Sequence, residues 1–273
     1  MEEESRNIPV ENDGEACVRE GETLTLYQRL LKKEEEQPDA HAVVIDGEHF
    51  TYEDVLSEVD VLSAAFEECN VSAGTVITVC LPDNLQKLFC TYALNKIGAV
   101  ADIVEPGLFA SELSHHMEKN GSECLVMMDT ALSEYAKMLT EADPGMVVVC
   151  RKGDYFSFAK KRFRRLTDKT PAPDCPKEAF YTTYVQMRRF GREILSGKLD
   201  NTYDWPSAFE EVAPEKEKEE YIPKCGPEET AVILTVKEED GKKEEVKVSS
   251  ETPEKLPDFL RSLISEETVT DVK

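Results

Sequence analysis

Residues 50–104 read FTYEDVLSEVDVLSAAFEECNVSAGTVITVCLPDNLQKLFCTYALNKIGAVADIV, and this stretch decides the fold. It opens with Thr51 and Asp54, which have the spacing of a helix capping box. Apolar residues then recur at the spacing of one helix face, at Val55, Val59, Leu62 and Phe66. The run from Val76 to Leu81 is short, β-branched and almost without alternation, which is typical of a strand covered on both faces. The first half of the stretch therefore predicts a helix followed by a buried strand.

The second half of the stretch repeats this order. Asn84 is a candidate N-cap for a second helix, whose apolar stripe runs from Leu85 to Ala93. Gly98 fits the position that follows a helix C-terminus, and residues 99–104 predict a second strand, ended by Pro106. Helices and strands that alternate in this way nearly always form right-handed parallel units.

The alternation continues on both sides of the central stretch. Before it, Thr23 or Thr25 is placed to begin a helix, and residues 42–51 predict a hairpin that turns at Asp46-Gly47. After it, Ser111 is a candidate helix cap, and the patterns that follow predict a strand at 124–128, a helix at 130–140 and a strand at 146–150. The predicted fold class is therefore α/β, a mostly parallel sheet flanked by helices.

Composition divides the chain into four segments. Residues 1–21 are polar and acidic and predict a flexible arm, residues 22–150 form the α/β core, and residues 151–228 predict an irregular insertion. Within the insertion, Tyr184, Met187, Phe190 and Ile194 have the spacing of one helical stripe. Residues 229–273 predict a β-hairpin with a charged tip and an amphipathic terminal helix that complete the same domain, followed by a frayed acidic tail after Ser265.

Charge and cysteine usage narrow the class of protein. The 273 residues include 32 basic and 56 acidic ones, a formal net charge of −24, which argues against nucleic-acid binding. The apolar runs are far shorter than a membrane span, and the acidic N-terminus does not resemble a secretory signal. The eight cysteines include no Cys-x-x-Cys pair. Free thiols in a reducing cytoplasm, and no metal site, are therefore expected.

One dense basic cluster interrupts this acidic chain, made of Lys160, Lys161, Arg162, Arg164 and Arg165. The cluster could contact anionic lipid, as a peripheral membrane surface, or a phosphate of a substrate. A solvated helix that balances nearby acids explains it more simply. His115 and His116 are adjacent on a predicted helix and face different ways, so joint ligation is not expected. All four histidines are interpreted as surface or packing residues.

The central block resembles the N-terminal part of the adenylate-forming (AMP-binding) superfamily, which includes acyl-CoA synthetases and aryl-CoA ligases. Three matching segments stand in family order, namely GEHFTYEDV at 47–55, AGTVITVCLPDN at 73–84 and ALNKIGAV at 93–100 followed by Pro106. Weaker similarity continues through residues 124–150, and GPEETAVILT at 226–235 stands where the family has a strand before its phosphate loop. The resemblance covers roughly residues 20–236 and is nearest to acyl-CoA synthetases.

The resemblance implies ATP-dependent activation of a carboxylate to an acyl-adenylate, with Mg²⁺, and transfer to a thiol. It also implies a Ser/Thr/Gly-rich phosphate loop ending in Pro-Lys-Gly after Thr235. Glycines let backbone N–H groups approach phosphates, and a lysine adds charge. Here residues 236–245 keep Gly241, Lys242 and Lys243 as candidate phosphate ligands, together with Thr235, but include five acids. Such a loop is expected to repel a triphosphate, so no catalytic residue is assigned.

Three functional hypotheses stay open at this point. The first hypothesis is a catalytically silent N-terminal fragment of an acyl-CoA synthetase-like ligase, with no cofactor of its own. In the family, the adenine pocket, the ribose-binding aspartate and the C-terminal domain come later in the sequence, and residues 250–273 are too few to form them. Alternatively the chain is an active ligase, using ATP and Mg²⁺, that a C-terminal half or partner protein completes. The third hypothesis is a non-catalytic module that binds an acyl ligand, a protein or a membrane surface. A redesigned C-terminal end and natural divergence would give the same kind of sequence after Glu238. The acyl substrate is not predicted, because the family residues that select it lie mostly further along the sequence.

Overall fold

The computed structural model describes residues 23–45, 47–142, 144–155, 181–197, 223–237, 243–265 and 270–272. Its strands are β1 (His41–Ile45), β2 (Glu48–Thr51), β3 (Val76–Cys80), β4 (Val100–Ile103), β5 (Cys124–Met128), β6 (Met146–Cys150), β7 (Tyr181–Thr183), β8 (Thr230–Lys237), β9 (Lys243–Ser249) and β10 (Thr270–Val272). Its α-helices are α1 (Leu26–Glu36), α2 (Tyr52–Glu68), α3 (Leu85–Lys96), α4 (Ala110–Asn120), α5 (Leu132–Ala142), α6 (Tyr184–Leu195) and α7 (Asp258–Arg261). Among these described residues, no helix combines the length and apolar character needed to cross a membrane.

The main sheet has seven strands in the order β7-β6-β5-β3-β4-β8-β9. Every neighbouring pair in it is parallel except β8 and β9, which form an antiparallel hairpin at one edge. A second, three-stranded sheet has the order β10-β1-β2, and β1 and β2 are antiparallel as the Asp-Gly turn predicts. The predicted fold class, a mostly parallel α/β sheet flanked by helices, is therefore confirmed.

Helix starts follow the sequence closely where a capping side chain is present. The Thr25, Thr51 and Asn84 side chains accept hydrogen bonds from backbone N–H groups in the first turns of α1, α2 and α3. The expected cap at Ser111 is wrong, because α4 begins one residue earlier at Ala110. Its first turn is instead closed by Glu112, whose carboxylate accepts a hydrogen bond from the Phe109 N–H at 3.2 Å.

The segment predicted as irregular contains regular structure. β7 extends the parallel sheet beside β6, and α6 carries the predicted stripe, with Tyr184 and Met187 fully buried. The helical stripe expected inside this insertion is therefore confirmed, strand β7 was not expected, and the domain boundaries stay a prediction. A three-residue strand gives too short a pattern to detect from sequence.

The C-terminal region also differs from expectation. Instead of a long amphipathic helix, residues 253–265 form a 3₁₀ turn and the one-turn helix α7, which still buries Leu256, Phe259 and Leu260. The tail is not frayed throughout, because β10 pairs in parallel with β1, with Thr270 opposite Val43. The amphipathic pattern therefore predicted burial correctly and helix length incorrectly.

The two faces of the main sheet pack against different helices. Residues such as Val79, Ala101 and Val232 belong to a large core shared with α1, α2, α3 and α6. On the opposite face, Cys80, Val104 and further strand residues pack against α4 and α5. Side chains alternate between faces along a strand, so Thr78 and Asp102 point towards the α4 face.

The buried cysteines predict a loss of stability at alkaline pH. Burial raises the pKa of the Cys80 thiol to about 11 and that of Cys90 to about 12, and it raises the pKa of Cys150 well above the ordinary value of 9.0. From about pH 9 upward, the unfolded chain releases thiol protons that the folded chain keeps, so the free energy of unfolding falls as pH rises. Each such thiol contributes a slope of up to about 1.4 kcal/mol per pH unit.

Urea unfolding of the protein between about pH 8 and pH 11 measures this slope. A Cys90→Ala variant should show a shallower slope than the wild-type chain, because one of the titrating thiols is gone. A wild-type profile that is flat or rises across this range would contradict the expectation.

Candidate functional site

The carboxyl ends of the parallel strands are the expected ligand edge, since ligands of open α/β sheets bind outside these ends. Lys87, in the first turn of α3, lies at this edge and is 1% exposed. Its Nζ is 3.0 Å from Oδ1 of Asp83, which follows β3, and 3.1 Å from Oε1 of Glu105, which follows β4. The lysine therefore ties the loops after two neighbouring strands together.

A second ion pair lies at the ends of β5 and β6. The Nε of Arg151 is 3.7 Å from Oδ2 of Asp129, and the Arg151 backbone N–H donates to Oδ2 of Asp154 at 3.1 Å. Both Lys87 and Arg151 are thus already paired with carboxylates. The partner side chains of Lys87 face solvent, at 55% exposure for Asp83 and 73% for Glu105. An anion approaching this part of the edge would meet carboxylates first.

The predicted phosphate ligands are only partly brought together. Thr235 lies in β8 opposite Glu245 of β9, and its buried Oγ1 has no hydrogen-bond partner among the described residues. β8 does not end at Thr235 but continues to Lys237, which pairs with Lys243 across the hairpin. Gly241 and Lys242 lie outside the described residues. The chain after Thr235 is therefore a strand of a hairpin over its first two residues, where the resemblance implies a phosphate loop.

The basic cluster made of Lys160, Lys161, Arg162, Arg164 and Arg165 also lies outside the described residues. Its contact with lipid or phosphate stays a prediction.

Sequence reasoning missed a polar cluster on the α4 face of the sheet. Asp102 of β4 is fully buried, and its carboxylate lies 2.8 and 2.9 Å from Nε2 of His116 in α4. Thr78 of β3 donates from Oγ1 to Oδ2 of Asp102 at 3.0 Å. The other ring nitrogen of His116, Nδ1, is 3.6 Å from Oε1 of Glu245. The cluster therefore connects β3, β4, α4 and the edge strand β9.

One signal in the sequence pointed to this cluster. Asp102 stands inside an otherwise apolar strand, and a carboxylate in such a run is rarely buried without a partner. Its partner could not be named, because His115 and His116 were equally eligible. The structure separates them, with His116 buried and His115 exposed, which agrees with the expectation that the two face different ways.

A shallow surface cleft of about 570 Å³ lies between α4 and α5. Its walls carry three glutamates and one lysine, at Glu118, Glu134, Glu141 and Lys137. The lysine already lies 3.6 Å from Glu141. This excess of carboxylates disfavours a nucleotide here too.

The charges at the strand ends decide whether the described residues can hold ATP and Mg²⁺. A triphosphate site needs converging N–H donors and uncompensated cations. Lys87 and Arg151 at the strand ends are each paired with carboxylates, and Glu244 of β9 lies exposed opposite Val236 of β8. The described residues at this edge therefore do not fit a nucleotide triphosphate.

Comparison with known proteins identifies relatives of this chain. The sequence pattern of the family described as AMP-binding enzyme matches residues 30–234. Acetyl-coenzyme A synthetase of Xanthobacter autotrophicus is 25% identical over 130 residues, which cover 45% of this chain and 20% of that protein. The chain thus matches about a fifth of the length of this curated relative.

Solved structures share the fold. The anthranilate CoA ligase AuaEII, in complex with anthranoyl-AMP, has a TM-score of 0.58 at 11% identity, over 85% of this chain and 36% of that one. MbtA of Mycobacterium smegmatis, in its apo form, has a TM-score of 0.59 at 17% identity, over 90% of this chain and 43% of that one. VinN has a TM-score of 0.51 at 14% identity, over 85% and 45% of the two chains. At these identities the likeness shows the fold alone.

Proposed function

This chain belongs to the AMP-binding enzyme family, and from that premise we propose that it is the N-terminal α/β portion of an acyl-CoA synthetase-like ligase that forms no acyl-adenylate by itself. The family activity is the activation of a carboxylate with ATP and Mg²⁺. In this proposal the chain has the family's fold but does not by itself bind ATP or react with it.

The end of β8 carries this proposal. The strand runs past Thr235 beside an antiparallel partner, with Val236 opposite Glu244 and Lys237 opposite Lys243, so these two residues belong to a β-ladder and not to a loop. Hydrogen-bonded ladder groups are not available to cradle phosphates. The exposed Glu244 lies opposite Val236 in the same ladder, and its negative charge would oppose a triphosphate.

A second candidate is an active ligase whose site a partner half completes. The observation that favours it is coverage, because the chain matches only 36–45% of the solved relatives. A partner would have to supply both the phosphate contacts and the rest of the adenylate pocket. This candidate predicts activity on mixing, whereas the first predicts none from the chain alone.

Carboxylate-dependent exchange of labelled pyrophosphate into ATP tests the proposal directly. We expect the purified chain, given Mg²⁺, ATP and a panel of aliphatic and aromatic acids, to show exchange at the enzyme-free background. An intact acetyl-coenzyme A synthetase serves as the positive control. Acid-dependent exchange by the chain alone would overturn the proposal. Exchange that requires an added C-terminal half would select the second candidate.

A further inference from the structure

Two basic side chains on one face of α4 converge on a single carboxylate of the β8–β9 hairpin. Lys119 Nζ lies 2.7 Å from Oε2 of Glu245, and His116 Nδ1 lies 3.6 Å from Oε1 of the same side chain. Residues three apart on a helix share a face, so α4 presents both groups side by side without any distortion. Each oxygen of the glutamate thus faces its own nitrogen.

Polar side chains contact His116 at Nε2, on the side of the ring away from Glu245. Asp102 contacts Nε2 at 2.8 Å, and Thr78 donates to the same Asp102 oxygen. The side-chain amide of Asn120 lies 3.3 Å from Nε2. With Nε2 held by these contacts, the other ring nitrogen, Nδ1, faces Glu245. The cluster therefore orients the Nδ1 side of His116 towards the hairpin.

Charge balance shows what Glu245 does there. Glu245 carries one negative charge and Lys119 one positive charge, so the pair that they form is neutral. Without Glu245 it would hold one uncompensated positive charge in a partly buried place, which is unfavourable unless an anion replaces it. The register places Lys243 and Lys247 on the same face of β9 as Glu245, and Lys247 is exposed.

We infer that His116 and Lys119 form a carboxylate-binding site that the chain's own Glu245 occupies. Glu245 belongs to β9, the edge strand of the main sheet, so it can leave the site without breaking an interior strand pair. Lys119 is 56% exposed, which leaves the site open to solvent on one side. A small carboxylate from solution can therefore take the place of the Glu245 side chain where that side chain is missing. This inference does not depend on whether the chain supports adenylation.

Rescue of a vacated site by acetate tests the inference, because acetate reproduces the end of the glutamate side chain. In the Glu245→Ala variant, we expect about 0.1 M sodium acetate to raise the Tm by about 2–4 °C relative to sodium chloride at the same ionic strength. The wild-type chain should show no difference between the two salts, because Glu245 holds the site. The Glu245→Gln variant, which fills the space with an amide, should show none either.

Two further variants keep the test decisive. Glu245→Thr vacates the site with a residue that favours strands, and it replaces the alanine variant if that one does not fold. Adding Lys119→Ser to the vacated site should abolish the acetate effect. Equal Tm values in acetate and chloride for the vacated variants would overturn the inference. So would an acetate effect of the same size in the wild-type chain or in the variant that also lacks Lys119.

Discussion

Replacing Gly191 with alanine is expected to destabilise the fold by about 2–3 kcal/mol, although helix propensity alone predicts a gain of about 1 kcal/mol. Gly191 lies inside α6, and α6 packs against α2. A Cβ at this position would lie 1.8 Å from the carbonyl oxygen of Val61 and 2.8 Å from its carbonyl carbon. These are backbone atoms, so the two helices would have to separate. Steric overlap therefore outweighs helix propensity, and the net change in stability is a loss.

Urea unfolding of the Gly191→Ala variant measures this effect. Gly145→Ala is the matched control, because a Cβ there meets only the Glu123 carbonyl oxygen at an ordinary 3.6 Å. We expect that control to lie within about 0.5 kcal/mol of the wild-type chain. A Gly191→Ala variant as stable as the wild type would mean that α2 and α6 do not pack this closely.

Replacing Asp102 with alanine is expected to lower the free energy of unfolding by about 3–5 kcal/mol, because two buried polar groups each lose a partner and a cavity opens. The carboxylate is fully buried and is the partner of both His116 and the Thr78 hydroxyl. Its removal leaves the imidazole and the hydroxyl without this hydrogen-bond partner, and it opens a cavity between β4 and α4. The substitution therefore combines lost pairing with lost packing.

The matched control for this prediction is Lys119→Ala in the same cluster. Its ammonium group is 56% exposed, so the loss of its ion pair with Glu245 should change the free energy of unfolding by about 1 kcal/mol or less. Chemical denaturation of both variants compares a buried and a solvated charge of one network. Similar losses from the two substitutions would contradict the burial of Asp102.

The elements that sequence predicted well are those with local signals. Thr51 and Asp54 form a capping box within four residues, and Asn84 caps α3 in the same local way. The β-branched run predicted the strand at 76–80. Such signals are short-range, so a single chain suffices to read them. The alternation of these patterns along the chain then gave the order of helices and strands.

The elements that sequence missed depend on distant partners. β7 is three residues long and is defined by its pairing with β6, while β10 is defined by its pairing with β1, more than 220 residues away in the chain. The contact between His116 and Glu245 likewise joins residues far apart in sequence. Neither periodicity nor capping chemistry encodes such pairings. The role of Thr235 and Lys243 as phosphate ligands stays a prediction, and their placement in a ladder follows only from the hairpin pairing.

Thermal unfolding with and without millimolar ATP and Mg²⁺ tests the central claim, that this member of the family keeps the fold without the nucleotide site. A ligand bound only by the folded chain at a hundredfold excess over its Kd stabilises it by about 2.7 kcal/mol, a shift of several degrees. We predict the same Tm with Mg²⁺-ATP as with Mg²⁺ and a sodium salt of equal ionic strength. A saturable rise of several degrees with ATP would contradict the claim and would show that the end of β8 still holds phosphates.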